Sequence, residues 1–231
     1  MDLAAWLPFL SSYLATTIQL SLLGTVGSVV LATGLALARL SSYGPVRAAA
    51  RIEADLFRSV PLLALLLFLY FAVGPALAFI PDSSFWIAVV ALTLSESSYM
   101  AEVYRAALEA IPAGQWDAAA SIGMSWRETL VNVVIPQAIP AGIPSTVNLV
   151  VGTIKDSSLA SLIAVNELTM GATILVSNTF LTLPVYLTIA LIYLVILLPL
   201  SYLAQASEGL VARRMGLTPI VEVVPGGRPG Q

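Results

Sequence analysis

The sequence of 231 residues contains no cysteine and no histidine. Without cysteine the chain forms no disulfide bond and offers no thiolate, and without histidine it has no imidazole for catalysis, zinc binding or pH sensing. It also lacks the Gly-x4-Gly-Lys-Ser/Thr loop that holds nucleotide phosphates, because the single lysine, Lys155, lies outside any such motif. These absences exclude several classes of enzyme, and any energy source must lie outside this chain. We expect no metal site and no nucleic-acid partner.

Charged residues are scarce, at 10% of the sequence against about 25% in soluble domains, while 58% of the residues are hydrophobic. Four long runs contain no charge: Leu3–Ala38, Ser59–Pro81, Thr129–Ile154 and Leu168–Ser207. Because a helix needs about 20 apolar residues to cross a bilayer, these runs predict an all-α membrane protein. We expect about five transmembrane helices, at residues 13–38, 60–80, 84–104, 138–160 and 184–205.

The arginines predict an orientation, since short cytoplasmic loops are enriched in basic residues. With five spans, all nine arginines fall on one side of the membrane. The N-terminus is then outside and the C-terminus cytoplasmic. No basic residue precedes Arg39, so the first span lacks the start of a cleaved signal peptide and is expected to be retained. Residues 1–210 would form a single transmembrane domain, and residues 211–231 a flexible cytoplasmic tail.

The stretch 159–182 is apolar enough to form a sixth helix. A sixth crossing would place Arg213 and Arg214 outside, against the rule that places the other arginines in the cytoplasm. We therefore expect an interfacial or re-entrant segment on the outer face, with Asn166, Glu167 and Asn178 in contact with water.

A polar insert, which we call the elbow, separates the third and fourth predicted spans at residues 109–136. Pro112 suits the first turn of a helix, where its missing N–H would have no partner anyway. Gly123 suits the left-handed conformation that ends a helix, and Ser125 followed by Glu128 predicts a capping box for the next helix. The elbow is therefore predicted to consist of two short helices that meet at Gly123.

The elbow contains Asp117-Ala118-Ala119, then Gly123, then Val133-x-Ile135-Pro136. This spacing resembles the EAA loop of ABC importer permeases, Glu-Ala-Ala-x3-Gly-x9-Ile-x-Leu-Pro, with Asp for Glu, Val for Ile and Ile for Leu. Two further segments, Arg58–Leu63 and Lys155–Leu159, resemble the Arg-Gly-Thr-Pro-Leu-Leu and Lys-Asp-Thr-Ser-Leu segments of the polar amino acid subfamily, which includes histidine, glutamine and arginine permeases. The resemblance covers most of the chain, from about residue 16 to residue 208.

The resemblance implies the membrane subunit of an ATP-driven importer for polar amino acids, multi-pass in the bacterial cytoplasmic (inner) membrane and not itself an enzyme. It implies a second permease subunit, identical or paralogous, two cytoplasmic ATP-binding subunits and an extracytoplasmic solute-binding protein. The chain would hold no cofactor, because ATP and Mg would be bound by the ATPase subunits. The elbow would be a coupling helix set in a groove of the ATPase, with contacts from Trp116, Asp117, Ala118, Ala119, Gly123, Met124 and Trp126.

Polar residues inside the spans are candidates for a substrate path, because a charge near the bilayer centre costs about 2.5 to 3.5 kcal/mol. Glu96 lies midway along the third predicted span and must face protein or a water-filled cavity. Its carboxylate is suited to hold the ammonium group of an amino acid, and the alternative is a structural hydrogen bond to a neighbouring helix.

A second polar group lies on the fourth predicted span, where Asp156 is placed to neutralise Lys155. The pair would either stabilise the fold or, as the resemblance implies, lie by the translocation path. Glu102 and Arg105 are three residues apart and predict an ion pair near the cytoplasmic end. The candidate substrate-binding residues are Glu96, Ser97, Tyr99, Asn148, Lys155, Asp156 and Ser157.

Two other functions remain as alternatives. An ion-gradient-driven secondary transporter or channel would use Glu96 as its proton or cation site. The short chain without a detectable internal repeat argues against it, since secondary transporters often contain paired repeats. A non-transporting membrane scaffold explains neither Glu96 nor the elbow, so we favour the importer.

Overall fold

The computed structural model describes residues 3–77, 79 and 83–214. These residues fold mainly as helices, and no strand occurs among them. In lipid, a run without charge can satisfy its backbone N–H and C=O groups within one segment only by forming a helix. This requirement explains the fold class. The helices are α1 (Leu3–Arg39), α2 (Gly44–Ser59), α3 (Leu62–Phe68), α4 (Ser83–Glu109), α5 (Ala113–Ser121), α6 (Trp126–Thr129), α7 (Ile135–Asp156), α8 (Leu168–Thr179) and α9 (Thr182–Arg214).

α3 and α7 are each flanked by short π and 3-10 turns. α3 passes into a π turn at Leu69–Val73 and a 3-10 turn at Gly74–Leu77. α7 follows a π turn at Leu130–Val134 and passes into a 3-10 turn at Ser157–Ile163. Pro136 accounts for the second π turn, because its ring crowds the carbonyl one turn earlier and it has no N–H to bond that carbonyl.

Length and hydropathy identify three helices able to cross a membrane: Trp6–Arg39, Trp126–Ile163 and Thr182–Ser207. A fourth span results if α2 and Leu62–Leu77, which meet at 101°, are counted as one broken helix. Four of the five predicted spans coincide with these segments. The end of the second predicted span, at residues 78 and 80, lies outside the described part of the chain.

The predicted span at 84–104 is the exception. The helix is present as α4, but α4 is not among the segments apolar enough to cross a membrane alone, so three or four spans are identified rather than five. α4 buries four consecutive polar residues, Ser95 to Ser98, and contacts α1, α2, α3 and α7. A helix of this composition is stable in a membrane when its neighbours cover its polar side chains, which explains its enclosed position.

α1 and α4 approach closely where α1 has small residues. A Cβ atom at Gly24 would lie 3.1 Å from Cβ of Leu92, and one at Gly27 would lie 2.5 Å from the hydroxyl oxygen of Thr93. The Ser28 hydroxyl donates to the carbonyl of Gly24 at 2.7 Å. Small residues let the two backbones pack at short range, and this contact fixes α4 one turn before Glu96.

The segment 159–182, which we call the α8 segment, is not among the segments long and apolar enough to cross a membrane. It contains the 3-10 turn, a left-handed residue at Ala164 and then α8. The 12 residues of α8 rise about 18 Å, short of the roughly 30 Å of hydrocarbon in a bilayer. The prediction against a sixth transmembrane helix agrees with this length. Asn166 and Asn178 are exposed, as expected.

The prediction that Glu167 contacts water is wrong, because its side chain is fully buried. Its carboxylate caps α8 by accepting the Met170 N–H at 2.9 Å, and the Tyr193 hydroxyl donates to it at 3.3 Å. The Thr17 hydroxyl oxygen accepts the Leu168 N–H at 2.9 Å. These bonds join α1, α8 and α9, and they satisfy polar groups that would otherwise be costly to bury.

Candidate functional site

The elbow contains two short helices that meet at Gly123, as its sequence predicts. Pro112 stands one position before the first turn of α5, at the N-cap, and Gly123 adopts the left-handed φ of +83°. The Gly123 N–H donates to the carbonyl of Ala120 at 3.0 Å. The Met124 N–H donates to the carbonyl of Ala119 at 3.1 Å. These two bonds form the Schellman arrangement, which closes a helix and turns the chain.

The capping box predicted at Ser125 is present. The Ser125 N–H donates to Oε2 of Glu128 at 2.8 Å, and the Glu128 N–H donates to the Ser125 hydroxyl oxygen at 3.4 Å. α6 then passes through the π turn directly into α7. The bend of the elbow is therefore fixed by hydrogen bonds between residues close in sequence.

Large apolar side chains form part of the outer surface of the elbow. The rings of Trp116 and Trp126 stack with centroids 6.3 Å apart and an interplanar angle of 25°. Trp126 is 51% exposed, whereas Trp116 and Met124 are half-buried. Trp116 therefore supports the elbow from within, and Trp126 presents its ring outward.

The structure changes the set of candidate contact residues in two ways. Ala119 is buried beneath α5 and is not available to a partner, while Asp117, Ala118 and Gly123 are exposed. Ile122 is 78% exposed. It is not among the contact residues predicted from the sequence, although its place directly before Gly123 indicates an exposed position. A residue between the last turn of a helix and a left-handed glycine stands at the corner of the bend.

A shared core joins the elbow to the helices on either side of it. One buried cluster contains Ala107 at the end of α4, Ile111, Leu130 and Val134 in the elbow, and Ala138 at the start of α7. Close-packed side chains of this kind transmit a displacement instead of absorbing it. The end of α4, the elbow and the start of α7 therefore pack as one unit.

α4 and α7 each carry a carboxyl group that faces the other helix. Glu96 is 5% exposed and Asp156 is half-buried, and their carboxyl groups lie close to each other. We call these two residues the acid pair. The expected ion pair in which Asp156 neutralises Lys155 does not occur in the described part of the chain, and the Lys155 side chain is exposed.

Ser97 and Ser157, which follow the two acids in the sequence, are buried. The Ser97 hydroxyl donates to the carbonyl of Leu94 at 3.0 Å, and the Ser157 hydroxyl donates to the carbonyl of Ile154 at 2.8 Å. Their hydrogens are therefore engaged within their own helices, while oxygen lone pairs remain as acceptors. A site made of carboxyl and hydroxyl oxygens suits a ligand with N–H donors.

Two candidate residues lie apart from the acid pair. The Tyr99 hydroxyl donates to the carbonyl of Arg58 at the end of α2, at 3.2 Å. Asn148 is exposed on α7 and precedes Asp156 by eight residues, a rise of about 12 Å. Asn148 is therefore separated from Asp156 along α7, and the Tyr99 hydroxyl is engaged with α2.

A groove of about 430 Å³ lies between α1, α4 and α7, against the core of the elbow. Its polar lining side chains are Thr33, Tyr104 and Thr146, too few for a zwitterionic ligand. Asp156 instead borders a narrow crevice beside Leu66 and Leu92. The polar side chains between α4 and α7 are thus concentrated at the acid pair and not in the groove.

The predicted ion pair of Glu102 and Arg105 is present and belongs to a larger network. Nη1 of Arg39 lies 2.9 Å from Oε2 of Glu102, and Nη1 of Arg58 lies 3.6 Å from the same oxygen. Arg58 also pairs with Asp55 at 2.8 Å. The network joins the ends of α1, α2 and α4, and sequence spacing alone could not identify Arg39 as a partner 63 positions from Glu102.

Residues 28–217 match a protein family described as binding-protein-dependent transport system inner membrane component. The matched region contains the elbow, the acid pair and the ion network.

Curated relatives and a solved structure are similar over most of the chain. The sequence is 37% identical over 202 residues to the L-cystine transport system permease protein TcyB of Bacillus subtilis (strain 168), covering 87% of this chain and 86% of TcyB. It is 30% identical over 207 residues to the glutamine transport system permease protein GlnP of Escherichia coli (strain K12), covering 89% of this chain and 94% of GlnP. The crystal structure of an amino acid ABC transporter with histidines superposes with a TM-score of 0.83 at 33% identity, covering 92% of this chain and 97% of that one.

Proposed function

Because the chain belongs to the family of binding-protein-dependent transport system inner membrane components, we propose that it is the transmembrane permease subunit of an ATP-driven importer for polar amino acids. The observation that carries the proposal is the similarity of nearly the whole chain to the structure of an amino acid ABC transporter. TcyB and GlnP are named for cystine and glutamine, which are both polar amino acids. The chain is then a multi-pass protein of the bacterial inner membrane that forms the path and catalyses no reaction itself.

The orientation that we propose has five spans, with α4 counted as a span in addition to the four segments described above. Its N-terminus is outside and its C-terminus is cytoplasmic. The arginine distribution supports it, since all nine arginines then face the cytoplasm. In this orientation the elbow and the ion network around Glu102 are at the cytoplasmic face. The predicted tail at 211–231 would also be cytoplasmic, and residues 215–231 lie outside the described part of the chain.

The partners that we propose are a second permease subunit, identical or paralogous, two ATP-binding subunits and an extracytoplasmic solute-binding protein. The family description, which names a binding-protein-dependent system, supports the last of these. The ATP-binding subunits would hold ATP and Mg. The exposed ring of Trp126 and the exposed Ile122 form an apolar knob of the kind that anchors a protein interface.

The acid pair is the proposed contact for the substrate ammonium group. Two carboxyl groups close to each other repel when both are ionised, and a cationic group between them removes that repulsion. Every α-amino acid carries an ammonium group at neutral pH. The acid pair would therefore recognise what polar amino acids share, and leave the choice of side chain to other contacts.

The connection between the elbow and the acid pair supports a mechanism of coupling. Glu96 is on the helix that enters the elbow and Asp156 is on the helix that leaves it. Closure of the ATP-binding subunits would draw the two elbows together, and the shared core would pass that movement to α4 and α7. The spacing of the acid pair would then change with the ATP cycle, so that it alternates between enclosed and open to substrate.

Reconstituted transport tests the proposed function. The chain would be placed in vesicles with its ATP-binding subunits and solute-binding protein, and uptake of labelled amino acids would be measured with and without ATP. We expect uptake to require ATP and the binding protein and to persist when ionophores collapse every ion gradient. Uptake that follows an ion gradient and ignores ATP would establish the secondary transporter instead.

The role of the acid pair is tested separately by Glu96→Gln and Asp156→Asn in the same vesicles. Each change removes one charge while keeping the size of the side chain, so we expect reduced uptake or a changed preference for the charge of the amino acid. Asp55→Asn on α2 is the matched control, because it removes the same charge away from the pair. Unchanged uptake of every amino acid tested by both variants would make the acid pair structural.

A further inference from the structure

Glu53 of α2 has a buried carboxylate without a partner. Both carboxyl oxygens are shielded from solvent, and neither accepts a hydrogen bond from any residue that the structure describes. Glu53 follows Ala50 by three residues, and Ala50 packs in a buried cluster with Leu35 of α1 and Met100 of α4. Glu53 is therefore on the face of α2 that the other helices cover. A buried carboxylate that makes no hydrogen bond destabilises the state in which it is found.

Arg39 at the end of α1 has an unused donor near this carboxylate. The Arg39 guanidinium and the Glu53 carboxyl lie close to each other. The Arg39 side chain is 7% exposed, and its Nε–H is buried and makes no hydrogen bond within the described part of the chain. Its Nη1 lies 2.9 Å from Oε2 of Glu102 on α4. An unused donor and unused acceptors are therefore neighbours, while the same guanidinium is bonded to a different carboxylate.

The arginines of the ion network are shared unevenly. Glu102 contacts Arg39, Arg58 and Arg105. Glu53 forms no ion pair with any residue that the structure describes. Transfer of Arg39 to Glu53 would leave Glu102 with its other two arginines and would give Glu53 its first. Each arrangement contains one ion pair of Arg39 with a carboxylate, so the transfer leaves neither acid worse paired than Glu53 is now.

The two carboxylates belong to parts of the fold with different connections to the elbow. Glu102 is on α4, whose residue Ala107 belongs to the core shared with the elbow. No residue of α2 belongs to that core, and only four residues separate α2 from Arg39, the last residue of α1. A displacement of the end of α4 relative to α2 would therefore move Glu102 away from Arg39 and leave Glu53 beside it.

We propose that Arg39 exchanges between two carboxylates, binding Glu102 in the state described here and Glu53 when the end of α4 moves with the elbow. Arg39 then makes a charge-assisted hydrogen bond in both states and in no position between them, which makes the two states discrete. The exchange rests on the proposed coupling for the movement of α4. It adds to that coupling the residues that hold each state in place.

A distance measurement between α2 and the elbow tests the exchange. Because the sequence has no cysteine, Ile52→Cys and Ile122→Cys, both at exposed positions, provide two sites for spin labels in one permease copy. The assembled transporter with cysteine-free partner subunits would be measured without nucleotide and with ATP and vanadate. Glu53→Gln leaves the bonds of the described state intact and removes the ion pair of the other state. We expect it to shift the ratio of the two distances about tenfold toward the distance in the described structure, the effect of one hydrogen bond between charged groups.

Two further variants identify the group that is exchanged. Asp55→Asn removes the same charge from α2 but affects only the bond to Arg58, so the ratio should stay at the parent value. In an Arg39→Gln background, Glu53→Gln should cause no further shift, because neither state retains the bond to Arg39. No shift by Glu53→Gln, or an equal shift in both backgrounds, overturns the exchange. The comparison of Glu53→Gln with Asp55→Asn stands by itself if Arg39→Gln fails to fold.

Failure of the exchange is distinguishable from failure of the proposed function. ATP-dependent uptake by the parent transporter, together with no shift by Glu53→Gln, would overturn only the exchange. Uptake that ignores ATP would overturn the importer, and the distances measured without nucleotide would still compare Glu53→Gln with the parent protein.

Discussion

The elbow and the α8 segment are both short helical connections with left-handed turns, but they are stabilised in different ways. In the elbow the turn residue is Gly123, and the next helix is capped by Ser125 and Glu128 within a few residues. In the α8 segment the left-handed residues are Ala164 and Phe180, which lack the freedom of glycine.

The helix caps of the two connections also differ in whether their bonds are local or distant in sequence. The elbow uses exposed caps between sequence neighbours, while the cap of α8 is the buried Glu167, bonded also to Tyr193 of α9. A connection stabilised by local bonds keeps its shape while it moves as a unit. A connection stabilised by buried distant bonds ties helices together and resists movement. The elbow is therefore suited to move as a rigid unit, and the α8 segment is suited to hold its neighbouring helices in place.

The largest effect on function is expected from Gly123→Pro. Proline requires a φ near −65°, whereas Gly123 has +83°, and it removes the N–H that bonds Ala120. We expect ATP-driven uptake to be nearly abolished while ATP hydrolysis and the amount of protein in the membrane are retained. Uptake and ATP hydrolysis would be measured on the same vesicles.

Gly123→Ala is the graded control for this prediction. Alanine accepts the left-handed conformation at a cost of about 1 to 2 kcal/mol and keeps the N–H, so uptake should be reduced less than by proline. If Gly123→Pro transports at the normal rate, the shape of the elbow has no part in coupling.

The largest effect on stability is expected from Glu167→Ala. The change removes the cap of α8 and leaves the Tyr193 hydroxyl without its buried partner, at a combined cost of about 3 kcal/mol. Thermal unfolding in detergent micelles would measure the loss. Glu167→Gln keeps one acceptor oxygen, so its loss of stability should be clearly smaller. An alanine variant as stable as the parent protein would show that α8 is held by apolar packing alone.

A pair of glycine variants compares packing in the two regions. A Cβ atom at Gly171 of α8 would lie 2.7 Å from the ring of Tyr13, whereas a Cβ atom at Gly114 of α5 would meet nothing within 4 Å. We expect Gly171→Ala to lower the free energy of unfolding by about 2 kcal/mol through overpacking. Gly114→Ala should have no effect or stabilise slightly. Equal effects would remove the distinction between a buried and an exposed connection.

The smallest effect is expected from Ser125→Ala, which removes one half of an exposed capping box. We expect a loss of about 1 kcal/mol or less, well below that of Glu167→Ala. The same unfolding measurement applies. A loss as large as that of Glu167→Ala would mean that the elbow depends on its cap for more than local helix formation.

The same contrast explains what the sequence predicts and what it does not. The elbow is predicted in detail because Pro112, Gly123 and the Ser125 capping box act on backbone within one turn. The burial of Glu167 is not predicted, because α8 is also held by Thr17, whose bond to Leu168 spans 151 positions. Likewise, the sequence predicts that Asp156 pairs with its neighbour Lys155, but the fold places Asp156 beside Glu96. Partners brought together by tertiary packing leave no periodic signal in one sequence.

If the elbow lies in the cytoplasm against an ATP-binding subunit, as we propose, cysteine labelling at its exposed corner will detect both properties. Ile122→Cys would be treated with a membrane-impermeant maleimide in intact cells, in permeabilised cells and in the assembled transporter. We predict no labelling in intact cells, labelling after permeabilisation of cells that lack the ATP-binding subunit, and protection when that subunit is present. Labelling in intact cells would place the elbow outside and contradict the account.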